Sequence, residues 1–135
     1  MKYKIEEIEG IGPSYGAKLK AVGITDTEKL LQRCGARKGR AEIAGETGLE
    51  ETRLLKWANM ADLMRVSGIG EEYSELLEAA GVDTVKELQH RNAESLAAKM
   101  AEVNAVRKLT RTVPAASQVS KWVDQAKTLS PMISH

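Results

Sequence analysis

Apolar residues recur at intervals of three and four along most of the chain, and glycines interrupt the pattern. In the first half, this spacing predicts helices over roughly 13–22, 26–33, 38–47 and 50–64. Gly23 and Gly48 are placed to end two of these helices in the left-handed conformation that glycine favours. Thr25 and Glu28 have the spacing of a capping box, and Asp83 is predicted to cap the corresponding helix in the second half. The pattern therefore predicts an all-α protein of about eight to ten short helices.

The second half of the sequence repeats the first. Residues 8–30 align on residues 66–88 at a shift of 58, and eight of the aligned positions are identical. The match resumes where residues 54–62 align on residues 119–127, after an insertion of seven residues around 95–117. Self-similarity of this kind indicates a duplicated structural unit.

The duplication predicts two homologous small helical bundles, and each bundle opens with a tight glycine-containing turn. The first bundle comprises residues 1–64, and the second comprises residues 65–135 with the insertion and a last helix that starts near Ser117. The boundary has no flexible linker of glycine and serine. We therefore expect the bundles to pack together and to share or abut a long helix.

The five aromatic residues mark the same duplication, because four of them form two equivalent pairs. Tyr15 corresponds to Tyr73, and Trp57 corresponds to Trp122. Each tryptophan closes an apolar stripe, so both are predicted to anchor a core. Two interpretations of the tyrosines stay open: a hydrogen bond to the nearby turn, or an exposed ring that stacks on a base or a partner.

Composition excludes several classes of protein. Hydrophobic residues make up 42% of the chain, which is too many for a disordered protein. No stretch approaches the ~20 apolar residues of a membrane helix, and the acidic N-terminus does not resemble a signal peptide. We therefore expect a cytoplasmic protein without a membrane partner.

Residues suited to catalysis or metal binding are scarce. The two histidines are too few for a histidine-based metal site or a catalytic triad, and the carboxylates lie on solvated helix faces. We therefore expect no enzyme activity, no metal and no cofactor. Cys34 is the single cysteine, and we expect it to have no functional role, although Arg33 and Arg37 are near enough in sequence to lower its pKa.

Each half contains a short turn in which two glycines flank an isoleucine. The turns are Gly10-Ile11-Gly12 and Gly68-Ile69-Gly70, and an apolar residue precedes each by two positions. This arrangement between two short helices resembles the helix-hairpin-helix family. The resemblance implies sequence-independent contact with a nucleic-acid backbone, and it also implies that hairpin carbonyls can hold a monovalent cation. In physical terms, glycine lets backbone N–H groups at a helix N-terminus approach a phosphate oxygen.

The whole chain also resembles a bacterial family of unknown function that is built from two helix-hairpin-helix units. Besides the two turns with their tyrosines, the resemblance is carried by residues 39–48, 57–63, 79–84 and 101–104. It extends over roughly residues 5–130. It implies the fold and assigns no function.

Contacts with nucleic acid are predicted at two places in the first half. The first hairpin offers Gly10, Ile11, Gly12, Ser14 and Lys18. The second place is the basic stretch 33–40, which contains no acid and offers Arg37, Lys38, Gly39 and Arg40. A helix that begins with glycine and cations is suited to phosphate. The alternatives are a purely structural turn for the hairpin and a solvated loop for the basic stretch.

The second hairpin, Gly68, Ile69 and Gly70, is a weaker candidate because Glu71 and Glu72 come directly after it. Acids in the first turn stabilise a helix but compete with phosphate for its N–H groups. Residues 89–135 are basic, with seven Lys or Arg against three acids, and Arg107, Lys108 and Arg111 share one predicted helix face. This segment is predicted to meet nucleic acid, or the acidic second hairpin of another copy.

A helix-turn-helix pattern is also present around residues 44–57. The small, glycine and apolar residues at its characteristic spacings are Ala44, Gly48, Leu49, Leu54 and Trp57. The second of these helices would begin with Glu50 and Glu51, which repel the phosphates beside a major groove. We interpret the pattern as packing geometry.

The sequence supports two functional hypotheses. In the first, the protein binds the backbone of DNA or RNA weakly through the first hairpin and the 33–40 stretch. In the second, it is a module for protein–protein interaction or scaffolding, including self-association, that has lost phosphate binding. The motif favours the first hypothesis, whereas the net charge of only +1 and the acidic second hairpin favour the second. The nucleic-acid hypothesis leads by a small margin.

Overall fold

The computed structural model describes residues 2–135, and this part of the chain is all-helical, without a β-strand. A short 3-10 helix, Ile5–Glu7, is followed by eight α-helices: α1 (Gly12–Ala21), α2 (Thr27–Cys34), α3 (Arg37–Thr47), α4 (Glu51–Leu63), α5 (Glu71–Ala79), α6 (Val85–Leu88), α7 (Ala93–Arg107) and α8 (Ala116–Ala126). The all-α prediction is confirmed, and the predicted bounds of the first four helices agree to within one residue. No helix in residues 2–135 is long and apolar enough to cross a membrane.

The predicted N-cap of α2 is wrong by one residue. The cap is Asp26, whose Oδ1 accepts a hydrogen bond from the Lys29 N–H at 2.9 Å. Thr25 lies outside the helix because its carbonyl accepts the N–H of Ile5 at 3.1 Å. The pairing between the N-terminal segment and this loop therefore fixes where α2 begins.

The predicted cap at Asp83 is wrong by one residue in the same direction. Helix α6 begins after Thr84, whose hydroxyl oxygen accepts a hydrogen bond from the Glu87 N–H at 3.3 Å. Thr84 and Asp26 are separated by 58 residues, which is the shift that relates the two halves of the sequence. Both helices therefore begin at matching positions.

The buried apolar residues divide into two core clusters. The first combines the 3-10 helix with α1 to α4, and the second combines the end of α4 with α5 to α8. Trp57 lies in the first cluster and Trp122 in the second, each with only 2% of its surface exposed. The prediction that both tryptophans anchor a core is confirmed.

Helix α4 contributes side chains to both clusters. Met60 and Ala61 belong to the first, together with Met64 just after the helix, whereas Leu63 belongs to the second. Full burial of an aliphatic side chain contributes roughly 1.5–3 kcal/mol to stability. The end of α4 is therefore a shared element, which places the second cluster directly against the first.

The carboxylate of Asp62, near the end of α4, is buried at the junction of the two clusters. Its Oδ2 accepts the N–H of Val85 at 2.9 Å, and its Oδ1 accepts a hydrogen bond from the Arg65 guanidinium at 2.7 Å. Only 1% of Asp62 is exposed. A buried carboxylate is tolerated when it is paired and hydrogen-bonded in this way.

The C-terminal segment, residues 127–135, crosses from the second core cluster back to the first, and we call it the strap. The Ser134 N–H donates to the Gly35 carbonyl at 2.9 Å, and the Arg40 guanidinium donates to the Ser134 carbonyl at 2.6 Å. Near its start, the strap accepts a hydrogen bond from Arg65 on the Ser130 carbonyl at 2.9 Å. The strap thus links the two halves a second time.

Replacing Asp62 by alanine is expected to destabilise the protein strongly. The change leaves the Val85 N–H and the Arg65 guanidinium without their buried acceptor. Breaking such a pair costs about 3 kcal/mol in the free energy of unfolding. Urea denaturation followed by circular dichroism measures this loss.

The matched control is Asp124→Ala, because Asp124 is an exposed acid on α8. An exposed substitution of this kind changes the free energy of unfolding by about 0.5 kcal/mol or less. Equal effects of the two variants would show that the buried carboxylate does not hold the junction.

Candidate nucleic-acid interface

The first hairpin has the backbone conformation that its glycines predict. Gly10 has a φ of 90° and Gly12 a φ of 61°, and both values lie in the left-handed region. The Ile11 side chain is buried in the first core cluster, and its N–H donates to the Ile8 carbonyl at 3.2 Å. Ile11 therefore holds the turn in place. The groups of this turn that are left to contact a phosphate are the backbone N–H groups of the glycines and the exposed Ser14 at the start of α1.

Basic side chains near the first hairpin are only partly available. Lys18 is exposed on α1, whereas Lys20 forms an ion pair with Glu6. The hydrogen bond from Lys20 lowers the pKa of the Glu6 carboxyl. Lys18 is thus the cation that the first hairpin can offer to a ligand.

Acids from the two halves converge beside the hairpins and form an acidic patch, which consists of Glu7, Glu9, Glu71, Glu72 and Glu75. Burial raises the pKa of Glu71, and repulsion from Glu9 raises it further. The same two causes, in the same order, raise the pKa of Glu75. The patch carries negative charge from the segment before the first hairpin to the helix after the second.

The second hairpin repeats the geometry of the first in part. Gly68 has a φ of 93° and is exposed, Ile69 is buried, and the Ile69 N–H donates to the Val66 carbonyl at 3.1 Å. Gly70, however, has a φ of −104°, and two acids of the patch occupy the first turn of α5. The N-terminus of α5 is therefore already compensated by its own side chains.

Arg40, predicted to contact nucleic acid, lies inside the protein with only 4% of its surface exposed. One guanidinium nitrogen donates to the carbonyls of Cys34 at 3.0 Å and Gly35 at 2.8 Å, and the other donates to Ser134. Burial lowers its pKa, although a guanidinium stays protonated. Arg40 therefore serves to tie α2 and α3 to the strap.

The glycines of the 33–40 stretch are packing residues. A Cβ on Gly39 would lie 1.9 Å from the Arg33 carbonyl oxygen, and a Cβ on Gly35 would lie 2.4 Å from the Met132 carbonyl oxygen. Both positions require glycine because backbone approaches too closely for any side chain. They do not form an open cradle for a phosphate.

The exposed cations of this stretch are Arg37 and Lys38, which form the first turn of α3. Ala36 at the N-cap has no side chain that can bond the helix, and the first turn contains no acid. Arg33, by contrast, donates to the Val22 carbonyl and pairs with Glu46, both at 3.3 Å. The structure therefore separates Arg37 and Lys38 from the other basic residues of the stretch.

The predicted lowering of the Cys34 pKa is wrong. Burial raises the pKa of this thiol to about 11, even though the positive charges of Arg33 and Arg40 oppose the change. Desolvation disfavours the thiolate more strongly than the two cations favour it. Cys34 is a core residue of α2.

Each tyrosine packs against the tryptophan of its own half. The ring centroids of Tyr15 and Trp57 are 5.2 Å apart, as are those of Tyr73 and Trp122. The Tyr73 hydroxyl donates to the Thr112 carbonyl at 3.1 Å and not to the hairpin backbone. Both tyrosines are half-buried, so their rings are not open stacking platforms.

The first turns of the helices differ in whether an acid or a side-chain cap is present, and the sequence-based predictions considered only some of these turns. Helices α1, α3 and α8 begin with neither an acid nor a side-chain cap, so their first N–H groups lack a compensating charge. The starts of α1 and α3 were predicted as sites, whereas that of α8 was missed. The signal was present, because residues 115–121 contain a lysine and no acid.

The chain belongs to the family described as Domain of unknown function (DUF4332), whose model matches residues 9–129. Comparison with curated proteins and with solved structures gives no match. Within residues 2–135, no group of three histidine, cysteine or acidic side chains is placed to hold a metal ion.

The raised pKa of Glu75 predicts a dependence of stability on pH. The folded state holds the Glu75 proton to a higher pH than the unfolded state does, so its contribution to stability falls as pH rises through the raised pKa. Glu75→Gln removes this loss. The variant is therefore expected to be more stable than the wild type at about pH 7, and the difference should shrink towards about pH 4.

Thermal unfolding at a series of pH values measures this difference. Glu42→Gln is the control, because Glu42 is an exposed acid on α3, away from the acidic patch. A stability difference for Glu75→Gln that stays constant with pH would contradict the assignment.

Proposed function

We propose that this member of the family is a non-enzymatic, tandem helix-hairpin-helix protein that binds the backbone of nucleic acid weakly and without sequence preference. The binding elements are the first hairpin, through Gly10, Gly12, Ser14 and Lys18, and the start of α3, through Arg37 and Lys38. DNA is the expected ligand, and RNA offers the same phosphates. Arg40 and Gly39 were also predicted as contacts, but they pack inside the protein and hold the start of α3 in place.

The tandem arrangement is supported by contacts that recur in both halves. A Cβ on Gly10 would lie 3.9 Å from Nε1 of Trp57, and one on Gly68 would lie 3.1 Å from Nε1 of Trp122. A further recurring contact joins an arginine to the end of an earlier helix: Arg33 donates to the Val22 carbonyl, and Arg91 donates to the Gly81 carbonyl. Arg33 and Arg91 are separated by the same shift of 58.

The observation that carries the nucleic-acid proposal is the start of α3. Two exposed cations stand in its first turn, and neither an acid nor a side-chain cap competes for its N–H groups. Helix dipole and side-chain charge therefore favour an anion at the same place. Glu51 is an opposing charge near this helix start, since it lines the same groove as Arg37.

A monovalent cation at the hairpins belongs to the same proposal. The carbonyls of Ile8 and Val66 each accept one backbone hydrogen bond, from Ile11 and Ile69 respectively. A carbonyl oxygen has a second lone pair, which a cation can use. The backbone of both hairpins is thus compatible with such an ion.

The test is binding to mixed-sequence duplex DNA and to single-stranded RNA over a series of salt concentrations. The wild type is expected to bind with a dissociation constant of roughly 10⁻⁴–10⁻⁶ M and to weaken steeply as salt rises. Replacing Arg37 and Lys38 together by glutamine should reduce the slope of log K against log salt by about two, because each phosphate contact contributes about 0.9. Fluorescence anisotropy measures both quantities.

Lys86→Gln with Lys99→Gln is the control, because it removes the same charge from exposed positions on α6 and α7. This pair should change the slope little. If the wild type does not bind either nucleic acid at ~50 mM salt, where backbone contacts are strongest, the nucleic-acid proposal fails.

A second candidate function is self-association, and the acidic patch favours it. Glu75 of the patch lies close enough to Arg107 for that cation to lower its pKa, although burial and Glu9 raise it more. Arg107, Lys108 and Arg111 are exposed at the end of α7 and just beyond it. A surface that places acids beside bases is suited to a symmetric contact with a second copy.

Sedimentation velocity at ~50 mM and ~500 mM salt tests self-association, because salt screens contacts between exposed charges. A dimer at low salt that dissociates at high salt is expected, and Arg107→Gln with Arg111→Gln should abolish it. A monomer at both salt concentrations would exclude this candidate.

A further inference from the structure

A groove lies beside the second hairpin, between it and α8. It has a volume of about 540 Å³. The hairpin residues Ser67 and Gly68 form one wall, and Ser117, Gln118 and Lys121 of α8 form the other, with Trp122 between them. No acidic residue lines it. We call it the α8 groove.

The backbone of the hairpin wall is fixed in position. The Ser67 N–H donates to Oε1 of Gln125 at 3.0 Å, which ties the turn to α8. Gly68 is exposed, and its φ of 93° is one that side chains other than glycine rarely adopt. The groove is therefore built by two rigid elements.

The α8 wall presents hydrogen-bond donors and one positive charge. Ala115 at the N-cap has no side chain that can bond the helix, and the first turn of α8 contains no acid. The Ser117 hydroxyl and the Gln118 amide add donors, and Lys121 makes no ion pair with any residue from 2 to 135. Dipole, donors and ammonium group all favour an anion.

A second observation, independent of the helix start, comes from Trp122. This side chain is only 2% exposed, yet its indole N–H has no hydrogen-bond partner among the described residues. A Cβ on Gly68 would lie 3.1 Å from Nε1, so glycine leaves this nitrogen uncovered towards the groove. Tryptophan N–H groups of buried side chains ordinarily find a partner. The indole nitrogen of Trp122 is not sealed from solvent, so an anion in the groove can accept this N–H.

The corresponding groove in the first half contains competing charges. The sequence shift of 65 relates Thr52, Arg53 and Lys56 to the three residues of the α8 wall, and these line a groove together with Glu50. Arg53 stacks on the Tyr15 ring, with 4.8 Å from its Cζ to the centroid, and Lys56 lies 3.8 Å from the Glu78 carboxylate. The cations of this groove thus already have partners, and its helix begins with acids.

We propose that the α8 groove binds a phosphate oxyanion through Lys121, Ser117, the first N–H groups of α8 and the indole N–H of Trp122. The same chemistry fits a phosphodiester of nucleic acid and a free phosphate group on a small molecule. The proposal does not depend on the nucleic-acid function, because inorganic phosphate alone is the probe that tests it.

Nuclear magnetic resonance provides a direct readout, because the protein has two tryptophans and therefore two indole N–H signals. Sodium phosphate is titrated to ~50 mM at constant ionic strength, so that general screening does not change. The Trp122 indole signal is expected to shift and saturate, whereas the Trp57 signal stays in place. Lys121→Gln should weaken the apparent affinity about fivefold, as expected for the loss of one charge-assisted hydrogen bond.

Lys56→Gln is the matched control, since it removes the equivalent lysine of the first half and should leave the affinity for phosphate unchanged. Three results would overturn the proposal. The first is a Trp122 indole signal that does not move. The second is a shift that does not saturate and that the Trp57 signal shows as well. The third is an affinity for phosphate that Lys121→Gln leaves unchanged, when circular dichroism shows that the variant is folded.

A second titration distinguishes the two sources of phosphate. Mixed-sequence single-stranded DNA without terminal phosphates offers phosphodiesters only. A saturating shift of Trp122 with this DNA supports the site and identifies its ligand as a nucleic-acid backbone. A shift with inorganic phosphate alone also supports the site and identifies a free phosphate group, even if the protein fails to bind nucleic acid elsewhere.

Discussion

The relative placement of the two halves depends on one buried carboxylate. Asp62 accepts the N–H of Val85 at the start of α6, and Arg65, which binds its other oxygen, also holds the strap. In the first half, the matching N–H belongs to Thr27, and the backbone carbonyl of Tyr3 accepts it at 2.9 Å. In the second half the corresponding segment is the last turn of α4, whose carbonyls point along the helix axis and not sideways towards α6. A side-chain acceptor replaces the backbone one.

The use of the Asp62 side chain in place of a backbone carbonyl reflects how the two similar halves are joined. The first unit begins with a short extended segment, whereas the second begins inside the last turn of α4. Leu63 occupies the place in the second cluster that Ile5, 58 residues earlier, occupies in the first. Because one helix ends one core and starts the next, the units cannot move independently without exposing apolar surface. The Asp62 carboxylate and the strap reinforce this coupling.

The near-zero net charge conceals a separation of charge over the surface. Acids before the first hairpin and at the start of α5 gather in the acidic patch, which makes the hairpins poorer anion sites than their glycines suggest. Exposed cations stand instead in the first turn of α3, and the exposed Lys121 lies in the second turn of α8, whose first turn contains no acid. The glycine turns pack against the tryptophans, and the positions proposed for phosphate that carry no acid lie at helix starts farther along the chain.

Local features were predictable from the sequence, and contacts between distant residues were not. Helix bounds depend on glycine positions and apolar spacing, so the bounds predicted for α1 to α4 agree with the structure to within one residue. Arg40 looked like a surface cation because its partner, Ser134, is 94 residues away. Cys34 is buried in the first core cluster, and this burial raises its pKa, so the shift predicted from neighbouring arginines has the wrong sign. The equivalence of Arg33 and Arg91, in contrast, can be read from the sequence, because the shift of 58 that relates the two halves also relates these two residues.

The two tryptophan-bearing helices, α4 and α8, have different charged surroundings because the next segment of the chain differs between them. Helix α4 leads into α5, whose Glu78 carboxylate lies 3.8 Å from the Lys56 ammonium group, so this lysine has an anionic neighbour within the protein. Helix α8 leads into the strap, which contains no acid, and Lys121 at the equivalent position has no such partner among residues 2–135. The acids at the start of α4 are likewise replaced by alanines at the start of α8. The start of α8 and Lys121 are therefore without the internal charged partners that their counterparts in α4 have, and the proposed anion site depends on this difference.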